Sequence, residues 1–186
     1  MTGISHRNLF PGLWAARGLV VGAEVGVYRG GFSEVILAHP GINRLYSVDA
    51  WADSDGNPMT DVIEECRGRL ARFGERSEMV QCSSVEGAAR FADGALDFVY
   101  IDAAHDYDSI MQDIGCWAPK VRPGGCVAGH DYSNKGKSLV REMVTEAHPS
   151  RGRKRGKQAV DDWVESYEHE LWLTGDRPHS WYVWMK

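Results

Sequence analysis

Compact apolar runs alternate with amphipathic stretches along most of the chain. Residues 19–25, 45–51, 79–84, 96–101 and 126–129 are apolar runs bounded by glycine or polar turn residues, the pattern of buried strands. Between them lie stretches with helical spacing: Phe32, Val35, Ile36 and Leu37; Val62, Ile63, Cys66, Leu70 and Phe73; Ile110, Met111, Ile114 and Trp117. The second of these opens on Asp61-Val62-Ile63-Glu64, which has the form of a capping box. Ser83-Ser84 stands before a further helix as an N-cap. Strand and helix in strict alternation predict an α/β fold, a Rossmann-like doubly wound sheet, mostly parallel, with right-handed crossovers. Toward the C-terminus the pattern predicts helices over 137–148 and 158–170. Two strands, 171–174 and 181–185, then flank the turn Gly175-Asp176-Arg177-Pro178. Residues 1–18 form a lead-in whose apolar side (Leu9, Phe10, Leu13, Trp14) covers the sheet edge or lies over a ligand. The length of 186 residues suits a single domain over 1–186.

Chemistry concentrates at the strand ends. The first strand-to-helix junction is Gly22-Ala23-Glu24-Val25-Gly26-Val27-Tyr28-Arg29-Gly30-Gly31-Phe32-Ser33. Strand, glycine turn and helix open a nucleotide-binding unit, in which backbone N–H groups at a helix N-terminus face a ligand. The dinucleotide fingerprint G-x-G-x-x-G is not met, because no glycine stands two residues after Gly26. Glu24 places a carboxylate at the mouth of this turn, which repels a pyrophosphate and attracts an ammonium or sulfonium group. Asp49 ends the second strand at the distance where an acid accepts hydrogen bonds from ribose hydroxyls. Ser83, Asp102 and Asp131 end the next three strands. A plain glycine loop and a turn aspartate are the bland alternatives for the first two features.

The glycine turn resembles motif I of the class I S-adenosylmethionine-dependent methyltransferases. The run LDFVYIDAAHDYDSIMQDIGCWAPKVRPGGCVAGHDY, residues 96–132, looks like the methyltransferase family 24 branch, related to the macrocin- and catechol-type O-methyltransferases. This resemblance implies S-adenosylmethionine as cofactor and a C-terminal antiparallel strand pair on the parallel sheet. Glu24, Gly26, Tyr28, Gly30 and Ser33 would hold the methionine moiety. Asp49, Ala50 and Trp51 would serve the ribose side, Ser83 and Ser84 the adenine edge, and Asp102 the inner end. His105 matches the general base of the catechol-type enzymes, with Asp102 beside it as the second catalytic residue. Asp102 and Asp131 match ligands of a divalent metal (Mg²⁺, Ca²⁺ or Mn²⁺), with His130 where relatives carry an oxygen ligand. Histidine suits a softer ion than Mg²⁺ or Ca²⁺, so His130 counts against those two. The implied reaction is methylation of a small-molecule hydroxyl, an in-line displacement that needs positioning and a base. A nicotinamide-dependent oxidoreductase and a non-catalytic cofactor-binding domain are the competing readings.

Composition narrows the partners. The net charge is −5, which argues against nucleic acid, and no apolar run has the length of a membrane span or a signal-peptide pattern. Cys66, Cys82, Cys116 and Cys126 are scattered without C-x-x-C spacing, as in a protein with reduced thiols, and a cytoplasmic location is expected. The basic residues Arg151, Arg153, Lys154, Arg155 and Lys157 form a solvated loop or dock an anionic group. The expected partner is the small-molecule acceptor, with a homo-oligomer left open.

Overall fold

Residues 3–53, 55–132 and 156–186 are described by the computed structural model. The helix expected over 137–148 and the basic residues 151–155 lie outside the described residues. The sheet is built from β1 (Val21–Val25), β2 (Arg44–Asp49), β3 (Ser77–Gln81), β4 (Leu96–Ile101), β5 (Val121–Tyr132), β6 (Trp172–Leu173) and β7 (His179–Trp184). Their order is β3-β2-β1-β4-β5-β7-β6. β1 to β5 run parallel, and β7 pairs antiparallel with both β5 and β6. The chain therefore winds outward in one direction from β1 and then returns to start again at β4. Ligands of open α/β sheets bind in the crevice that this reversal leaves at the carboxyl ends of the strands.

The helices are α1 (Phe10–Ala15), α2 (Gly31–Ala38), α3 (Thr60–Leu70), α4 (Ser84–Ala88), α5 (Tyr107–Trp117) and α6 (Gly156–Ser166). Successive side chains of a strand point to opposite faces, and β4 shows why both faces need cover. Phe98 and Tyr100 join the core cluster with Phe10, Trp14, Ile36, Leu37 and Leu70. Val99 and Ile101 join the opposite cluster with Ile110, Ile114, Trp117, Val160 and Trp163. The lead-in belongs to the first face. Phe10 and Trp14 are fully buried, Trp14 stacks on Phe98 with ring centroids 4.0 Å apart, and Leu9 remains half exposed. Among the described residues no helix is long and apolar enough to cross a membrane.

The structure departs from the pattern in a few places. β5 spans Val121–Tyr132 rather than 126–129, because a register shift opposite Leu96 and Phe98 lets the Pro123-Gly124-Gly125 segment stay in the strand. α3 starts at Thr60, so Asp61 sits inside the first turn and forms no cap; the capping box stands instead at Ser83 and Glu86. Glu64 pairs with Arg67. α6 ends at Ser166 rather than near 170.

Candidate active site

Where the sheet order reverses, a cleft of about 420 Å³ opens beside the carboxyl ends of β1, β2 and β4. Gly26, Tyr28, Asp49, Ala50, Ser84 and Asp102 are among its walls, together with Met59, Ala103 and Ala104. Gly26 is required there for two reasons. Its φ is +85°, and a Cβ would run into the backbone of Asp102 and Ala103. The Asp102 N–H donates to Val25 O (2.7 Å) and the Gly26 N–H to Val48 O (2.9 Å), so the three strand ends are tied to one another.

Asp49 organises the turn. Its Oδ2 accepts from both the Val27 and the Tyr28 N–H at 2.8 Å, and its Oδ1 accepts from the Trp51 N–H at 2.7 Å. Among the described residues Oδ2 accepts two hydrogen bonds and Oδ1 one, and Asp49 lines the cleft. Trp51 does not form part of the cleft wall. Its ring is buried, and its indole N–H donates to Tyr28 O at 2.8 Å, so the N–H and the C=O of Tyr28 are both held. Tyr28 and Trp51 both hold positive φ (53° and 45°), a conformation few non-glycine residues adopt.

Four other expected residues lie behind the cleft or at its rim. Glu24, expected at the mouth of the turn, faces α2 from β1 and is only 2 % exposed. Its carboxylate accepts from the Ser33 hydroxyl, which is also 2.9 Å from the Ser47 hydroxyl. Burial pushes the Glu24 carboxyl up to about 8, against the Ser33 hydrogen bond and with help from the Asp102 charge. Ser33 is fully buried, and Gly30 serves as the left-handed N-cap of α2. Ser83 is spent on its capping box with Glu86. Ser84 does reach the cleft, but its hydroxyl donates to Asp113 Oδ1 (2.5 Å) and accepts from the Trp117 indole N–H (3.0 Å). Burial raises the Asp113 carboxyl above its ordinary range.

At the inner end, Asp102 follows β4, His105 follows three residues later, and His130-Asp131 ends β5. Gly129 lets the two strand ends approach, since a Cβ there would lie 2.7 Å from Ile101 O and from the Trp181 ring. His105 Nδ1 is 3.5 Å from Asp131 Oδ2, and His130 Nδ1 is 3.1 Å from Asp131 Oδ1 and 3.6 Å from Asp102 Oδ1. Asp131 is held at φ 53°. The described group that brings ligand atoms within 4.8 Å of one another is Asp102, His105 and Asp131. His130, expected beside the two aspartates, lies near both of them but is not part of that group.

Sequence reasoning missed Arg7. It precedes the first helix in a segment without periodicity, yet its guanidinium lies 3.5 Å from Asp102 Oδ2. Its place is set by a partner 169 residues away, for its backbone N–H donates to Asp176 Oδ2 (3.1 Å) in the turn before β7. No local signal could have shown this.

Residues 23–132, more than half of the chain, match a family described as a methyltransferase domain. None of the curated proteins compared with the chain matches it. Solved structures with the same fold include a proposed caffeoyl-CoA O-methyltransferase from Staphylococcus aureus, 15 % identical, with a TM-score of 0.72 over 100 % of this chain and 86 % of that one. The O-methyltransferase TomG of Streptomyces achromogenes, involved in tomaymycin synthesis and solved with SAM, is 16 % identical with a TM-score of 0.66 over 96 % of this chain and 79 % of that one. An O-methyltransferase of Bacillus cereus, solved with SAH, is 15 % identical with a TM-score of 0.64 over 95 % and 79 %. The chain belongs to the methyltransferase-domain family, and its sheet is that of a class I S-adenosylmethionine-dependent methyltransferase.

Proposed function

We propose that this protein transfers the methyl group of S-adenosylmethionine to a hydroxyl of a small-molecule acceptor. The observation that carries the reading is one cleft whose wall runs from Gly26 and Asp49 to Asp102, with the half-exposed His105 three residues further along the chain. Asp49 Oδ1 would accept from a ribose hydroxyl, and Ala50, Met59 and Ser84 would flank the adenine. The turn around Gly26 would face the methionine moiety, with Glu24 supporting it from behind through Ser33. Methyl transfer to oxygen requires the hydroxyl proton to leave as the carbon–oxygen bond forms. His105 is placed to take that proton: it is half exposed, three residues past Asp102 of the cleft wall, and its Nδ1 lies 3.5 Å from Asp131 Oδ2, which orients the ring. Structural neighbours solved with SAM or with SAH support this choice of cofactor.

The same inner residues fit a divalent cation. Asp102, His105 and Asp131 would hold it, and two carboxylates with one imidazole suit Mn²⁺, Fe²⁺ or Zn²⁺ better than Mg²⁺ or Ca²⁺. A cation there would supply Lewis acidity that lowers the hydroxyl's pKa. No feature of the cleft favours a nicotinamide. The test uses wild type and His105→Ala with S-adenosylhomocysteine in calorimetry and labelled S-adenosylmethionine against a panel of hydroxyl compounds. The variant should bind S-adenosylhomocysteine as wild type does and lose about 10²–10⁴-fold in turnover. Absence of cofactor binding by wild type, or full turnover by the variant, refutes the reading.

A further inference from the structure

Arg7 lies outside the span that matches the family, yet it reaches the innermost carboxylate of the site. The segment that carries it is laced onto the C-terminal hairpin. The Gly3 N–H donates to Leu173 O (2.8 Å), the Gly175 N–H to Ile4 O (2.9 Å), and the Arg7 N–H to Asp176 Oδ2 (3.1 Å). The guanidinium is centred 5.1 Å from the Phe32 ring, a cation–π distance, so its position is fixed from two sides. It comes no nearer than 3.5 Å to Asp102 Oδ2, while Asp102 Oδ1 turns to the His130 side.

This arrangement bears on the two uses of His105 described above, which exclude each other: an imidazole that ligates a cation through its free nitrogen is not a base. A guanidinium never loses its charge, and one fixed beside Asp102 repels any second cation brought to that carboxylate. We infer that Arg7 is the resident counter-cation of Asp102, keeping the affinity of the Asp102–His105–Asp131 group for divalent metal low. Two carboxylates face the site, and Arg7 compensates one of them permanently. His105 and His130 are left to answer the other, Asp131. The inference rests on the proposed use of this site but not on the identity of the acceptor.

Manganese supplies the probe, because free and bound Mn²⁺ differ in their electron paramagnetic resonance signal and no substrate is required. Wild type, Arg7→Gln, Arg7→Lys and Arg7→Gln/Asp102→Asn are titrated with Mn²⁺ alone, and each is titrated separately with S-adenosylhomocysteine. Arg7→Gln should bind Mn²⁺ about tenfold more tightly than wild type, the effect expected from removing one like charge a few ångströms away. Arg7→Lys, which keeps the charge, should stay within about threefold of wild type, and the double variant should lose the gain. Loss of fold cannot mimic a tighter site. Arg7→Gln that binds Mn²⁺ no more tightly than wild type, whether both bind or neither does, overturns the inference; so does a lysine variant as tight as the glutamine one. Failure of S-adenosylhomocysteine to bind wild type counts against the proposed function and leaves the Mn²⁺ comparison readable.

Discussion

Two aspartates clamp the two ends of β1 in nearly the same way. Asp97, at the start of β4, accepts the Val20 and Val21 N–H groups on Oδ2 at 2.7 and 2.8 Å. Asp49, at the end of β2, accepts the Val27 and Tyr28 N–H groups on Oδ2 at 2.8 Å. The difference lies on Oδ1. Asp97 receives the charged Arg122 guanidinium there at 2.6 Å, so its charge is paired within the protein, and it is not part of the cleft wall. Asp49 receives one backbone N–H and opens on the cleft. Asp49 instead stands in the cleft wall, where the proposed function has its Oδ1 accept from a ligand hydroxyl.

That contrast is sharpened by replacing each acid. Asp49→Ala should weaken S-adenosylhomocysteine about 100-fold or more, since it removes the ribose acceptor and releases the Tyr28 turn; Asp97→Ala, where folded, should stay within about threefold. Calorimetry reads both, and equal losses would erase the distinction. In thermal unfolding the order reverses. Asp97→Ala strands two N–H groups and a guanidinium in a partly buried site and should cost about 2–4 kcal/mol, more than Asp49→Ala.

Two carboxyls give the edges opposite responses to pH. Against the desolvation of its site, Arg122 and the Val20 and Val21 N–H groups hold the Asp97 carboxyl below its ordinary range. Its contribution is therefore present above the unfolded value near 4 and lost as pH falls through the folded value. Glu24 is shifted the other way, to about 8, by burial. Its protonated form suits the fold, so its contribution is complete below the unfolded value near 4 and is lost as pH rises toward 8. Glu24→Gln should therefore gain stability relative to wild type between pH 5 and 9, by a few kcal/mol at most. A flat difference across that range in denaturant titrations contradicts the buried-acid account. The smallest effect expected is at the rim: Ser83→Ala breaks the capping box and costs about 1 kcal/mol, whereas Glu64→Ala, outside any cap, costs nothing measurable.

The parallel sheet was legible because burial on both faces leaves unbroken apolar runs, and β4 shows this at every position except Asp97. Gly26 was legible too, since a turn that passes against the Asp102 backbone admits no side chain. The orientation of Glu24 was not. Strand periodicity says that it alternates with Ala23 and Val25, but which face α2 covers is a tertiary fact. Trp51 was expected to pack against the cofactor, and the sequence does not show that the fold buries its ring and turns its indole N–H onto Tyr28. Arg7 and Asp176 meet only because the C-terminal hairpin folds beside the lead-in, a contact no window of sequence contains.

The central claim is that Asp49 Oδ1 and the adjoining cleft receive the nucleoside of the cofactor. A crystal structure with S-adenosylhomocysteine tests it most directly. The account predicts a ribose hydroxyl within hydrogen-bond distance of Asp49 Oδ1 and the adenine between Met59 and Ser84. A nucleoside bound elsewhere, with Asp49 Oδ1 still facing an empty cleft, would contradict it.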